Sequence, residues 1–251
     1  MFKPIYDFEW DMMGIYNYNK EGRLLPYFDF LEKHLDNDGD LVEAGVFRGY
    51  SLLSVGLYLK EKKSDKKIYA YDSFAGFPLV KNENDSIDKF KDLVSQNRIS
   101  EEHYDQVQSS LKIRKKFQEN KMYALSTSGD FDNTSKALLE EKIKHLGLDN
   151  IILIDGPFSE TMNTLSQVQP KKILGGILDC DLYNSIMCSL DFFWPKLFDN
   201  GCFFLDEYFS LKFPGARIAV DEFLSNHSGQ LLKYQSNSLS FERWLLKKIK
   251  D

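Results

Sequence analysis

Two pairs of acidic residues follow apolar runs in the second half of the chain. Asp179 and Asp181 stand two residues apart after one run, and Asp206 and Glu207 stand side by side after the next. If the two runs form adjacent parallel strands, Asp179, Asp206 and Glu207 meet at one rim, where their charges repel unless a cation neutralises them. Because oxygen ligands without His or Cys suit Mg²⁺, and alternatively Mn²⁺ or Ca²⁺, we predict a metal site there. The structural alternative is that these acids cap a helix or lie in a solvated turn.

A glycine-containing motif, EAGVFRGYS, follows an apolar run nearer the N-terminus. Gly45 and Gly49 allow a tight turn that leaves room for a ligand. Glu43 suits an ammonium group, and Ser51 stands where the N-terminus of a helix would bind a carboxylate. The dinucleotide fingerprint GxGxxG is absent because Phe47 replaces its middle glycine. The motif therefore favours an amino acid headgroup over a pyrophosphate.

The next two apolar runs end in residues that suit a nucleoside. Asp72 ends the first run, where a carboxylate can accept hydrogen bonds from both hydroxyls of a ribose, unless it only forms a turn or a helix cap. After the second run, Gly156 permits close approach of a ligand, and Phe158 either stacks on an adenine or packs in the core. A headgroup, a ribose and an adenine together indicate S-adenosylmethionine. The residues predicted to bind it are Glu43, Gly45, Val46, Phe47, Gly49, Ser51, Asp72, Ser73, Phe74, Asp155, Gly156, Phe158 and Asp179.

The elements that position these residues follow an alternating pattern. Apolar runs predict buried parallel strands at residues 40–46, 67–72, 150–155, 175–181 and 201–207. Helical patterns lie between or after them, at residues 51–63, 135–147, 185–198 and 215–226. Such alternation is typical of an α/β fold with right-handed crossovers. Two further β-like runs, 230–235 and 238–246, predict an antiparallel pair at the sheet edge.

Two segments fall outside this pattern. Residues 1–39 form a predicted N-terminal helical extension, with an amphipathic helix at 23–35 that covers the sheet. Residues 79–124 are polar and charged, and they are either a pair of solvated helices or a lid over the site. Without repeats or an evident linker, residues 1–251 are predicted to form a single domain.

Composition narrows the class of protein. The chain has 251 residues, of which 43% are hydrophobic, and a net charge of −6 gives no electrostatic footprint for nucleic acid or an anionic membrane. No apolar run approaches the roughly 20 residues that span a bilayer, and the acidic, aromatic N-terminus does not resemble a secretory signal. Cys180, Cys188 and Cys202 stand in apolar contexts, which is typical of reduced thiols in a cytoplasmic protein. A homo-oligomer is compatible with the sequence.

Five blocks of the chain, in order, carry a family resemblance: VEAGVFRGYS, YDSFAGFP, DGPFSETM, LDCDLYNSIMCSLDFFWPKLFDNGCFFLDEY and FPGARIAVDEF. Over roughly residues 40–225 the chain resembles the macrocin O-methyltransferases, the metal-dependent sugar methyltransferases of macrolide and aminocoumarin antibiotic pathways. The resemblance implies a class I methyltransferase Rossmann-like fold, with a seven-stranded, mostly parallel sheet, one antiparallel strand and helices on both faces. It also implies S-adenosylmethionine and Mg²⁺ as cofactors and a small-molecule sugar or glycoside as substrate.

The resemblance also implies roles for the acidic residues. Asp179 and the later acid pair hold Mg²⁺, and Asp181 matches the general base that removes the acceptor proton. If residues 179–181 stay extended, both aspartates point to the same side of the strand. The chain departs from the family pattern at Cys180, where a small residue is expected, and at Glu207, where Asp is expected. Glu207 would bind the metal directly or through water.

Other functions remain open at this stage. EAGVFRGYS is also similar to the first motif of catechol-type O-methyltransferases, although their usual lysine base is not seen near Asp179. A third alternative is a catalytically silent subunit that binds the cofactor. Lys212 and Arg217 are candidate neighbours of the site, unless Arg217 pairs with Asp221 one helical turn away. His103 is expected at the surface, with substrate contact as the alternative.

Overall fold

A computed structural model describes residues 4–78, 82–118, 131–163, 168–235 and 241–250. Their strands form one seven-stranded sheet. The strands are β1 (Asp40–Ala44), β2 (Ile68–Asp72), β3 (Ile151–Asp155), β4 (Ile173–Leu178), β5 (Leu197–Leu205), β6 (Gly229–Tyr234) and β7 (Arg243–Lys248). The helices are α1 (Asp7–Met13), α2 (Leu25–His34), α3 (Tyr50–Glu61), α4 (Lys89–Ser95), α5 (Glu101–Gln118), α6 (Lys136–Leu146), α7 (Phe158–Thr161), α8 (Tyr183–Phe193) and α9 (Pro214–Leu224).

The strand order confirms the predicted fold class. It runs β3-β2-β1-β4-β5-β7-β6, in which β7 lies antiparallel to both β5 and β6 and the other pairs are parallel. The chain order therefore reverses between β1 and β4, the position at which ligands bind in doubly wound sheets. The register pairs Ala44 with Leu178 and Leu178 with Leu205, so β1, β4 and β5 end at the same edge.

Buried apolar residues cover both faces of this sheet. One cluster packs α2, α3 and α6 against it through Leu31, Leu52 and Leu139. The other packs α8 and α9 against the opposite face through Ile186 and Ala219. All residues of β4 are buried, which explains its unbroken apolar sequence. Among the described residues, no helix is long and apolar enough to cross a membrane.

The strands that carry the acidic pairs end earlier than predicted. β4 ends at Leu178 and β5 at Leu205, whereas the apolar runs had suggested 181 and 207 as their ends. The expectation that residues 179–181 remain extended is wrong, because Asp181 has a φ of +58°. The acids thus lie in the loops that follow the strands.

The two segments outside the alternating pattern also have defined structure where it is described. The predicted helix at 23–35 is α2. The segment 79–124, of which 79–81 and 119–124 lie outside the described residues, contains α4 and α5. Phe90, Leu93 and Val107 form a small core there, against which Ile218 of α9 packs. Its role as a lid remains a prediction.

Candidate active site

A cavity of about 1030 Å³ lies at the carboxyl ends of β1, β2, β4 and β5. It brings together most of the residues predicted from the sequence. Those that line it are Gly45, Val46, Phe47, Ser51, Asp72, Ser73, Phe158, Asp179, Asp181, Asp206 and Glu207. Other predicted residues lie outside this lining, namely Glu43, Gly49, Phe74, Asp155 and Gly156.

Asp72 fastens two loops at the edge of the cavity. Its Oδ2 accepts hydrogen bonds from the backbone N–H groups of Val46, at 2.7 Å, and Phe47, at 2.8 Å, and its Oδ1 accepts one from Phe74 at 2.7 Å. Phe47 and Phe74 both have positive φ, which costs non-glycine residues energy. Because a carboxylate has about four acceptor positions, these three bonds leave one for a ligand.

Gly45 is required where β1 meets the residue after β4. Its φ is +86°, and a Cβ there would lie 1.9 Å from the backbone oxygen of Asp179. A side chain would therefore push the two loops apart. The close approach holds Asp179 beside the glycine motif.

Glu43 and Ser51 bind each other. The Ser51 hydroxyl, in the first turn of α3, donates to Glu43 Oε1 at 2.6 Å. Glu43 is fully buried, and burial raises its pKa to about 8. Glu43 was predicted to bind an ammonium group. Its carboxyl instead lies behind the residues that line the cavity, where it holds Ser51 in place.

The residues after β3 divide between the cavity and other contacts. Asp155 forms an ion pair with Lys136 of α6 at 3.0 Å. The N–H of Gly156 donates to the backbone oxygen of Asp72, which joins the ends of β3 and β2. Phe158 lines the cavity and also packs against the core beside α8, so both interpretations of this ring find support.

Arg23 lies between the acidic residues that follow β4 and β5. Its Nη2 donates to Asp179 Oδ2 at 2.9 Å and its Nη1 donates to Asp206 Oδ2 at 3.0 Å. Burial lowers the pKa of Arg23, but Asp179 and Asp206 together raise it above its ordinary value. Arg243 of β7 stands 3.5 Å from the other oxygen of Asp206. Across the described ranges, no group of three or more His, Cys, Asp or Glu is arranged to hold a metal ion.

Asp181 and Asp206 are buried, Asp179 and Glu207 are half-buried beside them, and the pKa values of Asp179, Asp181 and Glu207 reflect this. Burial and then Asp206 raise the pKa of Asp179 to about 7, although Arg23 opposes the change. Burial and then Asp206 raise the pKa of Glu207 to about 8. Burial and then Glu207 raise the pKa of Asp181 well above its ordinary value, with Lys212 opposing. The site therefore attracts positive charge.

Asp181 does not cap the helix that follows it. α8 has Leu182 as its N-cap, without a side-chain cap bond. The N–H of Tyr183 instead donates to Asp85 Oδ1, from the segment before α4, at 2.8 Å. Asp181 is buried and lines the cavity. Its backbone is left-handed, so its side chain does not follow the alternation of an extended strand.

Aromatic and basic side chains line the other half of the cavity. The Phe77 ring lies 5.0 Å from that of Phe131 and 5.8 Å from that of Phe213. Lys212 Nζ stands 4.5 Å from the centre of the Phe213 ring. Arg114 of α5 also lines the cavity, and it donates to the backbone oxygen of Leu211 at 2.7 Å. Among these residues, Lys212 had been named from the sequence as a candidate neighbour of the site.

The alternative pairing of Arg217 with Asp221 is not found, and the expectation that His103 lies at the surface is wrong. Asp221 accepts hydrogen bonds from Arg98, at 2.6 Å, and from Tyr208, whereas Arg217 lies over the Tyr208 ring. His103 is buried rather than at the surface, because its Nε2 bonds to the Ser210 backbone oxygen and its ring stacks on Phe209.

The chain matches the family model for macrocin O-methyltransferases (TylF) over residues 31–150 and 112–231. Among curated proteins, it is 28% identical over 186 residues to demethyldecarbamoylnovobiocin O-methyltransferase of Streptomyces niveus, an alignment that covers 74% of this chain and 58% of that protein. It is 25% identical over 193 residues to mycinamicin III 3''-O-methyltransferase of Micromonospora griseorubida, covering 75% and 61% respectively. The chain thus spans less than two thirds of the length of these relatives.

Solved structures show the same fold. The O-methyltransferase NovP superimposes with a TM-score of 0.64 at 20% identity, over 91% of this chain and 80% of that one. An O-methyltransferase of Bacillus cereus, in complex with SAH (S-adenosylhomocysteine), superimposes with a TM-score of 0.53 at 10% identity, over 98% and 92%.

Proposed function

Because the chain belongs to the macrocin O-methyltransferase family, we propose that it is an enzyme that transfers a methyl group from S-adenosylmethionine to a sugar hydroxyl with the help of Mg²⁺. The observation that supports this most strongly is one cavity that contains both Asp72 and the acidic residues around Asp181. Methyl transfer needs donor and acceptor held within reacting distance, and a shared cavity provides for both.

The cofactor half of the cavity is assigned to the ends of β1 and β2. The remaining acceptor position of Asp72 suits a ribose hydroxyl, and the turn that contains Gly45 lines the same cavity, where the amino acid portion is assigned. Phe158 supplies an aromatic surface in the same cavity. This half binds and orients S-adenosylmethionine, which supplies the methyl group when bound.

The donor set of the acidic residues fits a hard divalent cation. Asp179, Asp206 and Glu207 offer only oxygen, and Asp206 Oδ1 is buried without a hydrogen-bond partner among the described residues. We assign Mg²⁺ to these residues, with Mn²⁺ or Ca²⁺ as alternatives and Glu207 as a direct or water-mediated ligand. When bound, the cation would lower the pKa of the acceptor hydroxyl and orient it.

Asp181 is the proposed general base. It lies two residues after Asp179 and lines the same cavity, so it can reach a hydroxyl held beside the acidic residues. Because burial favours its neutral form, positive charge nearby is needed to keep it ionised, and Lys212 contributes some of that charge. Asp181 would accept the hydroxyl proton on a carboxylate oxygen as the methyl group is transferred.

The acceptor is a small molecule in this proposal. The curated relatives are named for methylation of demethyldecarbamoylnovobiocin and mycinamicin III, which supports a sugar of a natural product, a nucleotide sugar or a surface glycan as the acceptor class. The aromatic rings and basic groups of Phe77, Phe213, Lys212 and Arg114 would contact the parts beyond the sugar. The net charge of −6 disfavours nucleic acid, and the free thiols support a cytoplasmic location.

Lys212 favours a second candidate, methylation of a phenol or catechol. It lines the cavity and partly opposes the rise in the pKa of Asp181 that burial and Glu207 cause. The absence of a lysine beside Asp179 in sequence had disfavoured this reaction, but Lys212 supplies an amine from the loop after β5. In that case Lys212, rather than Asp181, would remove the acceptor proton.

One experiment separates these functions. Purified protein is treated with EDTA and incubated with labelled S-adenosylmethionine and a panel of glycosides, nucleotide sugars and catechols, with and without Mg²⁺. We expect Mg²⁺-dependent label in a sugar product. Label in catechols alone would favour the second candidate, whereas cofactor binding without transfer to any acceptor would support a silent subunit.

A further inference from the structure

Arg23 comes from a part of the chain that is remote in sequence from both of its partners. It precedes α2, while Asp179 and Asp206 follow β4 and β5, at separations of 156 and 183 residues. Its two terminal nitrogens bond to the Oδ2 atoms of the two aspartates. Its third nitrogen, Nε, is buried and has no hydrogen-bond partner among the described residues. The guanidinium is therefore held by these two carboxylates.

The position of this guanidinium is incompatible with a metal ion between the same carboxylates. Both aspartates are assigned above as metal ligands, and each already gives one oxygen to Arg23. A divalent cation bound to those oxygens would lie within a few ångströms of a permanent positive charge, and like charges at that distance repel strongly where water is scarce. Arg243 lies 3.5 Å from the other oxygen of Asp206, so Arg23 is the cation that occupies the position between Asp179 and Asp206 in the part of the chain that the structure describes.

We propose that Arg23 is an internal counter-ion that occupies the position between Asp179 and Asp206 and that a divalent cation must displace before it binds. This inference rests on the metal dependence proposed above. In the metal-free protein, Arg23 neutralises the two carboxylates and keeps the two loops together. In the metal-bound protein, the guanidinium moves into the adjoining cavity.

The local structure permits this movement without rearrangement of the backbone. Arg23 lines the cavity and its side chain is 30% exposed, so the guanidinium has open space beside it. The next residue, Leu24, is completely buried and anchors the start of α2. A change of side-chain rotamer at Arg23 is therefore sufficient, since four rotatable bonds separate its guanidinium from the backbone.

The pair between Arg98 and Asp221 provides a matched control. Arg98 donates from Nε and Nη2 to Asp221 Oδ2, at 2.9 and 2.6 Å. The side chains of Arg98 and Asp221 are 29% and 24% exposed, against 30% and 20% for Arg23 and Asp179. The two arginines thus lose similar contacts when substituted, but only Arg23 faces the proposed metal ligands.

The test compares the wild type with Arg23→Gln and Arg98→Gln in calorimetric titrations with Mg²⁺ and Mn²⁺. If Arg23 is paired about nine-tenths of the time, its removal should tighten metal binding about tenfold. In EDTA, the melting temperature of Arg23→Gln should fall below that of the wild type, and Mg²⁺ should raise it by a larger increment. Arg98→Gln should bind metal with wild-type affinity.

Unchanged or weaker metal binding by Arg23→Gln, with S-adenosylhomocysteine affinity retained as a check on folding, would overturn the proposal. If that variant does not fold, Arg23→Lys serves instead, because it keeps one charge but loses the two-pronged contact, and its metal affinity should exceed that of the wild type. If the wild type transfers methyl groups in EDTA, and neither the wild type nor Arg23→Gln binds Mg²⁺ or Mn²⁺, both this proposal and the metal dependence are overturned. A metal-dependent wild type with unchanged affinity in the variants would overturn the role of Arg23 alone.

Discussion

The backbone N–H of Tyr183 donates a hydrogen bond to the carboxylate of Asp85, at 2.8 Å. Asp85 thus supplies, from a distant segment, the acceptor for the first N–H of α8, the helix that follows the loop with Asp181. The fit is close, because a Cβ on Gly215 of α9 would lie 2.0 Å from Asp85 Oδ1. The segment before α4 therefore helps to fix the wall of the cavity.

Loss of this cap should destabilise the protein. We expect Asp85→Ala to lower the free energy of unfolding by about 0.5–2 kcal/mol, since the first turn of α8 loses its acceptor, while Asp85→Asn should retain most of the stability. Urea denaturation measures both. Glu83→Ala, which changes an exposed neighbouring residue, is the control. Equal stability of Asp85→Ala and Glu83→Ala would show that the cap contributes nothing.

Glu43 should make the stability of the fold depend on pH. Burial raises the pKa of Glu43 to about 8, from 4.5 in an exposed position. Between these values the folded state retains a proton that the unfolded chain releases, so the stabilisation is complete below about pH 4.5 and is lost as the pH rises through about 8. The slope from this group is at most about 1.4 kcal/mol per pH unit.

Substitution of Glu43 by Gln should remove that dependence and keep an acceptor for Ser51. We therefore expect Glu43→Gln to gain stability relative to the wild type as the pH rises from 5 to 8.5 in urea denaturation. Glu32→Gln is the control, because Lys62 and Tyr58 lower the pKa of that exposed carboxyl and its contribution is constant over this range. A parallel pH profile for wild type and Glu43→Gln would contradict the assignment.

Asp72 should matter for cofactor affinity and for loop structure together. Asp72→Ala removes three backbone hydrogen bonds and the acceptor assigned to the ribose, so binding of S-adenosylhomocysteine should weaken by about 1–3 kcal/mol in calorimetry. Asp155→Ala is the matched control, since Asp155 is the register partner of Asp72 on β3 but pairs with Lys136. Unchanged affinity of Asp72→Ala would remove Asp72 from the cofactor site, whereas an equal loss in Asp155→Ala would place Asp155 in that site as well.

The sequence predicts the sheet because its strands depend on local patterns. Apolar runs bounded by glycine and acidic residues mark β1, β2 and β4, and the resemblance to one family fixes their order. Asp72 could be predicted as a site residue because it directly ends a run. The three backbone N–H groups that bond to Asp72 could not be predicted. Their positions require positive φ at Phe47 and Phe74, and neither residue is a glycine, the type that usually indicates positive φ.

Arg23 shows where such prediction ends. Its contacts with Asp179 and Asp206 cross most of the chain, and nothing in the residues around it marks a charged partner. Packing of α2 against the sheet decides where this side chain lies. The same holds for Asp181, whose left-handed backbone overrides the alternation expected for an extended strand.

Asp181 should be essential for turnover but not for binding. Asp181→Asn keeps the shape of the side chain and removes its basicity, so turnover should fall by about 10²–10⁴-fold. Affinities for S-adenosylhomocysteine and Mg²⁺ should stay close to wild type, because neither ligand is assigned to this carboxylate.

The control is Asp191→Asn, the same substitution at an exposed position on α8. Since α8 takes its cap from Asp85 rather than Asp181, loss of a helix cap cannot explain a slow Asp181→Asn. Near-wild-type turnover of Asp181→Asn at saturating cofactor and Mg²⁺ would exclude Asp181 as the base, and a loss of turnover in Lys212→Met would then assign proton removal to Lys212.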